Sequence, residues 1–269
     1  MILNAMNALL LMAEESVGHG GENAGFIMEE VSDHVLVKLP SFWGVDFSIT
    51  KHVLMLWIAA AILIFLFGIS FRKIRLVPKG MANALEAIVV FLREDVLLPY
   101  LGENASRFSP YILSVFFFIL TCNLLGLIPM GATATSNINV TATLATLTFL
   151  VGQGARLKQE GAIRYFKQFI PSGIPGFVIP ILFIAELMGL FTRHLALAIR
   201  LFANMVADHL VVGTVIGLIF IFHSYLVAPL SVVTAVGVEL LAILIAFIQA
   251  YIFTMLSAVF IGLALEEEG

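Results

Sequence analysis

Residues 176–223 read GFVIPILFIAELMGLFTRHLALAIRLFANMVADHLVVGTVIGLIFIFH, and residues 229–265 read PLSVVTAVGVELLAILIAFIQAYIFTMLSAVFIGLAL. Both are apolar at continuous helical spacing, and the first has no strong breaker after Pro180. At 1.5 Å per residue the first would be roughly 65–70 Å long as a helix and the second about 55 Å. A bilayer's hydrocarbon core is only about 30 Å thick. Neither segment fits as an upright span, and tilting is how a membrane accommodates excess length. The expected arrangement is a helical hairpin lying steeply inclined within the bilayer. The alternative is two broken, upright spans in each segment.

The rest of the chain agrees with a lipid environment. It has 269 residues, of which 61% are hydrophobic and 12% charged, with mean hydropathy +1.05. A soluble domain is about half apolar and a quarter charged, so this apolar excess requires lipid as solvent. Residues 52–71 form the first 20-residue apolar stretch, closed by Arg72, Lys73, Arg75 and Lys79. In residues 82–99, Leu85, Ile88, Val89, Leu92 and Val96 recur at helical spacing between Glu86, Arg93, Glu94 and Asp95. That pattern predicts an amphipathic helix along the interface. No charge falls between Arg107 and Arg156, room for two crossings with a turn near residues 129–137. Ser109-Pro110 reads as the N-cap and first position of the earlier one. The runs are continuous rather than alternating, which disfavours a β-barrel.

The fold expected is therefore an all-α membrane protein with about five crossing helices plus one interfacial helix, its last two helices forming the tilted hairpin. Ten of the fourteen basic residues lie in 72–107 and 156–167, and loops rich in Lys and Arg stay cytoplasmic. The N-terminus is then expected outside and the acidic 266–268 tail inside. Residues 1–51 are expected to be a polar, mobile extracytoplasmic extension with an amphipathic start, and residues 52–269 the polytopic domain. The single Cys122, in an apolar run, excludes a disulfide framework.

The informative residues are the polar ones inside the hairpin. Glu186, Arg193, Arg200, Asn204 and Asp208 are spaced by seven, seven, four and four residues, which lines them along one side of a helix. His194 and His209 lie beside that stripe. Glu239 and Gln249 are the polar positions of the second segment, whose Ala242, Ala246 and Ala250 make a small-residue face suited to close helix approach. A charge at mid-bilayer costs about 2.5–3.5 kcal/mol on insertion scales, and such residues are as a rule functional. Arg200 has residues 195–199 and 201–203, all apolar, on either side, so its head group cannot easily reach the interface. Glu186, Asp208, His209 and Glu239 are expected to line one water-accessible cavity open to the outside. His19, His34 and His52 are too far apart to suggest a metal site. No P-loop or nucleophile elbow occurs, so no ATP chemistry is expected on this chain. A secondary transporter with an anion-binding arginine is the competing class, but internal repeats of the kind such folds show are not found.

Four stretches carry a resemblance. Arg200-Leu201-Phe202-Ala203-Asn204-Met205, with Ala207, Asp208 and His209 following, resembles the signature of subunit a of F-type ATP synthases. Asn123-Leu124-Leu125-Gly126-Leu127-Ile128-Pro129, then Asn137-Ile138-Asn139-Val140-Thr141 with Leu144-Ala145, and Ile248-Gln249-Ala250-Tyr251-Ile252-Phe253 are similar to that family in the right order. The likeness covers roughly residues 52–265. It implies that Arg200 is the family's essential arginine, Glu186 a half-channel position, and His209 a site that carries an acid or His. Gln249 matches the glutamine facing the arginine. Asp208 stands where the family commonly has Gly, and Glu239 lies ten residues before Gln249 rather than seven, where this chain has Ala242.

The resemblance further implies a non-catalytic, proton-translocating stator subunit with no cofactor or metal and no nucleic-acid partner. Its implied partners are the c-ring, whose small helical hairpins each carry a lipid-buried carboxyl, and peripheral-stalk subunit b. Protons would enter by one half-channel, ride the ring and leave by another. Arg200, charged at any accessible pH, would hold the gap between them. A bacterial inner membrane is the location expected.

Overall fold

The computed structural model describes residues 35–37, 48–72, 80–128, 133–167, 178–222 and 227–265. Thr50 opens α1 (Lys51–Ser70): its Oγ1 accepts a hydrogen bond from the Val53 N–H at 3.4 Å, satisfying one orphan donor of the first turn. Ahead of it, β1 (Val35–Val37) pairs antiparallel with β2 (Ile49–Thr50), Val35 opposite Thr50. This short ribbon lies within the stretch expected to be a mobile extension; β-branched Val35, Val37, Ile49 and Thr50 favour it locally. The expected amphipathic start lies outside the described residues. α1 is apolar all round, with Trp57, Ile64 and Phe65 exposed, the pattern of a helix solvated by lipid. It is held to the bundle through Phe67, whose ring meets Phe117 edge-on at 4.9 Å.

Next come α2 (Met81–Leu92), a π-helical turn (Arg93–Leu97), α3 (Leu98–Leu101), a 3₁₀ turn (Gly102–Asn104) and α4 (Ala105–Gly126). The amphipathic stripe is real. Leu85, Leu92 and Val96 are buried, Ile88 and Val89 pack against them, and Glu86, Arg93, Glu94 and Asp95 are exposed. The wide π turn brings both Val96 and Leu97 into the core while its charged residues stay outside. Ser109-Pro110 does not start a helix. Gly102, at φ 52°, ends the preceding turn, and α4 begins at Ala105 with Pro110 inside it. Pro110 and Ser106 are both exposed, so the one backbone bond lost there opens onto the surface.

Leu127 and Ile128 leave α4 in a turn, and a second 3₁₀ turn (Ala134–Ser136) leads into α5 (Ile138–Lys167). Asn137 caps that helix, its Oδ1 accepting from the Asn139 N–H at 2.9 Å. Gly161, at φ 78°, kinks α5 among its basic residues. α6 (Ile179–Phe222) and α7 (Val227–Leu265) run 44 and 39 residues without interruption, which excludes two broken spans in each. Pro180 and Pro229 fall in the first turns, where a missing N–H leaves no helical bond unmade. The two helices are antiparallel. Asn204 meets Gln249 near the middle, and Val212, Ile216 and Ile219 share a groove with Val232, Ala235 and Val236 near the connection.

The core gathers Leu92, Leu97, Ile112, Ile119, Leu201, Phe253 and Ile261 from α2 through α7. Ala242, Ala246 and Ala250 are all buried, as a close-approach face requires. Gly262 allows a similar approach: a Cβ there would collide with the Tyr100 carbonyl oxygen. Five segments are long and apolar enough to cross a membrane: Lys51–Ser70, Met81–Gly126, Ile138–Gln159, Ile179–Ile219 and Ala228–Leu265. The chain is a multi-pass helical membrane protein.

A polar track along the long hairpin

Arg200 sits on the outer face of α6. Ala196, Ala203 and Ala207 fall at four-, three- and four-residue steps around it, and all four positions are exposed. The helix faces inward instead with Leu197, Ala198, Leu201 and Met205. Among the described residues Arg200 makes no ion pair, nor do Glu186 and Asp208. A fixed charge therefore protrudes from a shallow, small-residue surface into the region where lipid or a partner must lie.

One turn further along, Asn204 is half-buried and its Nδ2 donates to Gln249 Oε1 at 2.7 Å. Gln249 is 1% exposed, and its Nε2 has no partner among the described residues. The track thus bridges the two long helices at this level. Asp208 and His209, both half-buried, follow about 12–14 Å from Arg200 at the helical rise. His209 turns to the opposite flank, where its Nε2 hydrogen bonds Thr133 Oγ1 beside the α4–α5 connection. Glu239, half-buried on α7, lines the groove of about 400 Å³ with Val212, Ile216 and Leu240.

Glu186 stands apart. It is exposed, about 21 Å from Arg200 toward the start of α6, whereas Asp208 lies toward its end. Some 33 Å of helix separates the two carboxylates. Glu186 is therefore set apart from Asp208, His209 and Glu239, with which it was expected to line one cavity. The physical reason is that seven- and four-residue steps fix a side of the helix but also accumulate length along it. Arg193 is exposed between Glu186 and Arg200. His194 is buried instead: its Nδ1 donates to the Leu190 carbonyl at 2.9 Å, and its ring packs at 5.0 Å against both Phe149 and Phe260.

The sequence reading missed a second polar group. Thr135 Oγ1 donates to Asn123 Oδ1 at 2.8 Å, Ser136 Oγ donates to the Thr133 carbonyl at 2.7 Å, and His52 Nε2 lies 3.4 Å from Ser136 Oγ. The signal was four hydroxyl or amide residues in five, Thr133, Thr135, Ser136 and Asn137, in the middle of an uncharged run. A turn expected near residues 129–137 does not by itself distinguish such a cluster from ordinary turn chemistry.

With this arrangement in view, the relatives are decisive: residues 53–262 match the family described as ATP synthase A chain. The chain belongs to that family. Similar proteins include ATP synthase subunit a of Chloroherpeton thalassium, 49% identical over 87% of this chain and 72% of the relative. That of Pelodictyon phaeoclathratiforme is 47% identical over 93% of this chain and 79% of the relative. ATP synthase subunit a 2 of Chlorobium luteolum is 47% identical over 95% and 80%. Family membership places the chain in the membrane sector of an F-type ATP synthase, with ion transport in support of ATP synthesis as its role.

Proposed function

We propose that this chain is the stator half of the proton path, facing a c-ring through the Arg200 surface of α6. The observation that carries this is the order of groups along one helix: a carboxylate at Glu186, an exposed arginine at Arg200 with no ion pair among the described residues, then Asn204, Asp208 and His209. Two polar regions lie on either side of a permanent positive charge, about 21 Å and 12 Å away along the axis. Asp208, His209 and Glu239 serve the inlet from the outside, and Glu186 serves the outlet to the cytoplasm. Guanidinium does not lose its proton at accessible pH. Arg200 draws in the deprotonated ring carboxylate, displaces its proton and keeps protons from passing directly between the two regions.

The hairpin geometry suits this task. α6 is about 66 Å long at the helical rise, so it lies strongly tilted in a 30 Å hydrocarbon layer and carries its polar side along the ring. The small side chains beside Arg200 let the ring helices come close. Each proton crossing 100 mV supplies about 2.3 kcal/mol, passed on as rotation. Subunit b of the peripheral stalk holds the chain against the torque. Residues 1–51 lie outside a bacterial inner membrane, residues 52–269 form the membrane domain, and the C-terminus is cytoplasmic. ATP hydrolysis and synthesis take place on other subunits, and this chain performs no bond chemistry.

Arg200→Ala tests the proposal. ATP-driven proton pumping per assembled complex is expected to vanish in membrane vesicles, while the complex still forms and passive proton leak persists or rises. Normal coupled pumping would refute it, and so would loss of assembly with coupling intact in the surviving complexes.

A further inference from the structure

The hydroxyl cluster at the α4–α5 connection meets the polar track at Thr133. Thr133 is 2% exposed and sits where Ala134–Ser136 packs against α1, α4, α5 and α6. Ser136, backed by His52, and Gly126 fix it. Its carbonyl accepts from Ser136 Oγ at 2.7 Å, and Ser136 Oγ lies 3.4 Å from Nε2 of His52, itself 2% exposed in the first turn of α1. Gly126, the last residue of α4, supplies the space: a Cβ there would overlap the Thr133 hydroxyl and its carbons. Ser136 therefore fixes the Thr133 backbone and Gly126 seats its side chain, with its Oγ1 on His209 Nε2.

We propose that Thr133 is the positioning residue for His209, and that Gly126, Ser136 and His52 exist locally to hold it there. The inference rests on the reading of His209 as an inlet site. A hydroxyl carries one proton and two lone pairs, so it can donate to a neutral imidazole nitrogen and accept from a protonated one. By rotating, Thr133 keeps His209 hydrogen-bonded in both charge states. The histidine can then take up and release a proton without leaving a buried polar atom unmatched at either stage. A methyl in place of the hydroxyl serves neither state, and it penalises the protonated one more, because bonds to charged groups are the stronger. The hydroxyl of Ser136 is engaged with a backbone carbonyl, which cannot relay protons, so Ser136 and His52 act by placement and not as carriers. The elements packed against this turn and against the histidine's helix carry further titratable or charged groups: Lys51 and His52 of α1, Arg107, Tyr111 and Cys122 of α4, Arg156 and Lys158 of α5, and Glu239 and Tyr251 of α7, with Arg200 and Asp208 nearest in sequence on the histidine's own helix.

The test uses the whole ATP synthase in inverted vesicles, with ATP synthesis per assembled complex measured against lumenal pH at fixed membrane potential. Thr133→Val keeps the shape and removes the hydroxyl; Thr133→Ser keeps the hydroxyl and removes a methyl. The valine variant is expected to fall about tenfold at neutral lumenal pH, with half-maximal synthesis moved about one unit to the acid side. The serine variant stays within about twofold of wild type. Gly126→Ala, which displaces the hydroxyl, follows the valine variant. Should the valine variant fail to assemble, Thr133→Ala is read against the same serine control. Equal, pH-independent loss in the valine and serine variants would overturn the inference, since that is what packing alone predicts. A silent valine variant beside an inactive His209→Ala would overturn the inference and leave His209 as an inlet site. Normal synthesis by His209→Ala would overturn the reading of His209, and this inference with it.

Discussion

Replacing the two amides that join the long helices by leucine should give stabilities that do not add. The bond from Asn204 Nδ2 to Gln249 Oε1 is 2.7 Å long and its acceptor is 1% exposed. Interhelical polar bonds in membranes average about 0.6 kcal/mol and reach about 1.7; short, dry geometry places this one near the top. Gln249→Leu strands the half-buried Asn204 amide, which costs about 1–3 kcal/mol. It also removes Nε2, already buried without a partner among the described residues, which offsets part of that loss. Asn204→Leu has no such offset, because it leaves the whole Gln249 amide buried and unmatched. The asparagine variant should therefore be the least stable, the glutamine variant milder, and the double variant better than the asparagine variant alone. The expected coupling is about 1–1.5 kcal/mol, a factor of roughly five to thirteen in a rate. The assay is the half-life of the purified complex against thermal dissociation, followed on native gels for all four proteins. Strict additivity, with the double variant the worst, would refute the reasoning.

Two further outcomes follow from placement. In a Cys122→Ser background, a cysteine at Glu186 should react with a water-soluble thiol reagent from the cytoplasmic side, and one at Asp208 or Glu239 from the outside. Labelling of all three from one side would mean a single cavity after all. Gly262→Ala drives a Cβ into the Tyr100 carbonyl, a backbone atom that cannot swing away, at a cost of about 1–3 kcal/mol; the yield of assembled complex should drop severalfold, and an unchanged yield would show that the α3–α7 contact is loose.

Much of the fold was legible because lipid simplifies the code. Apolar runs of 48 and 37 residues became unbroken helices within three residues of the expected ends, and the stripe of Leu85, Leu92 and Val96 found the core. The start of α4 was misplaced because Ser-Pro is a strong cap signal only when the helix has nowhere earlier to begin. Here the positive φ of Gly102 had already reset the chain. Side of helix was legible in the hairpin, but depth was not weighed: Glu186 shares a side with Asp208 yet lies some six turns away. Asn204 and Gln249 were both singled out, but their bond depends on the register of two helices, which no periodicity encodes. The Thr133 cluster escaped for a related reason. Hydroxyls in a turn look alike whether they cap helices or support a histidine brought in from 76 positions away.

The central claim is that the Arg200 face of α6 abuts the c-ring, and disulfide cross-linking tests it most directly. Single cysteines at Ala196, Ala203 and Ala207 are paired in turn with a cysteine one turn from the ring carboxyl, and the complex is oxidised in its membrane. A disulfide needs Cα atoms within about 7 Å, so it reports contact rather than proximity. The control is a cysteine at Ile64 of α1, also exposed but far from Arg200 in the sequence of helices. Cross-links from the three alanine positions, and none from Ile64, are the predicted result. Cross-links from Ile64 and none from the alanine face would contradict the account.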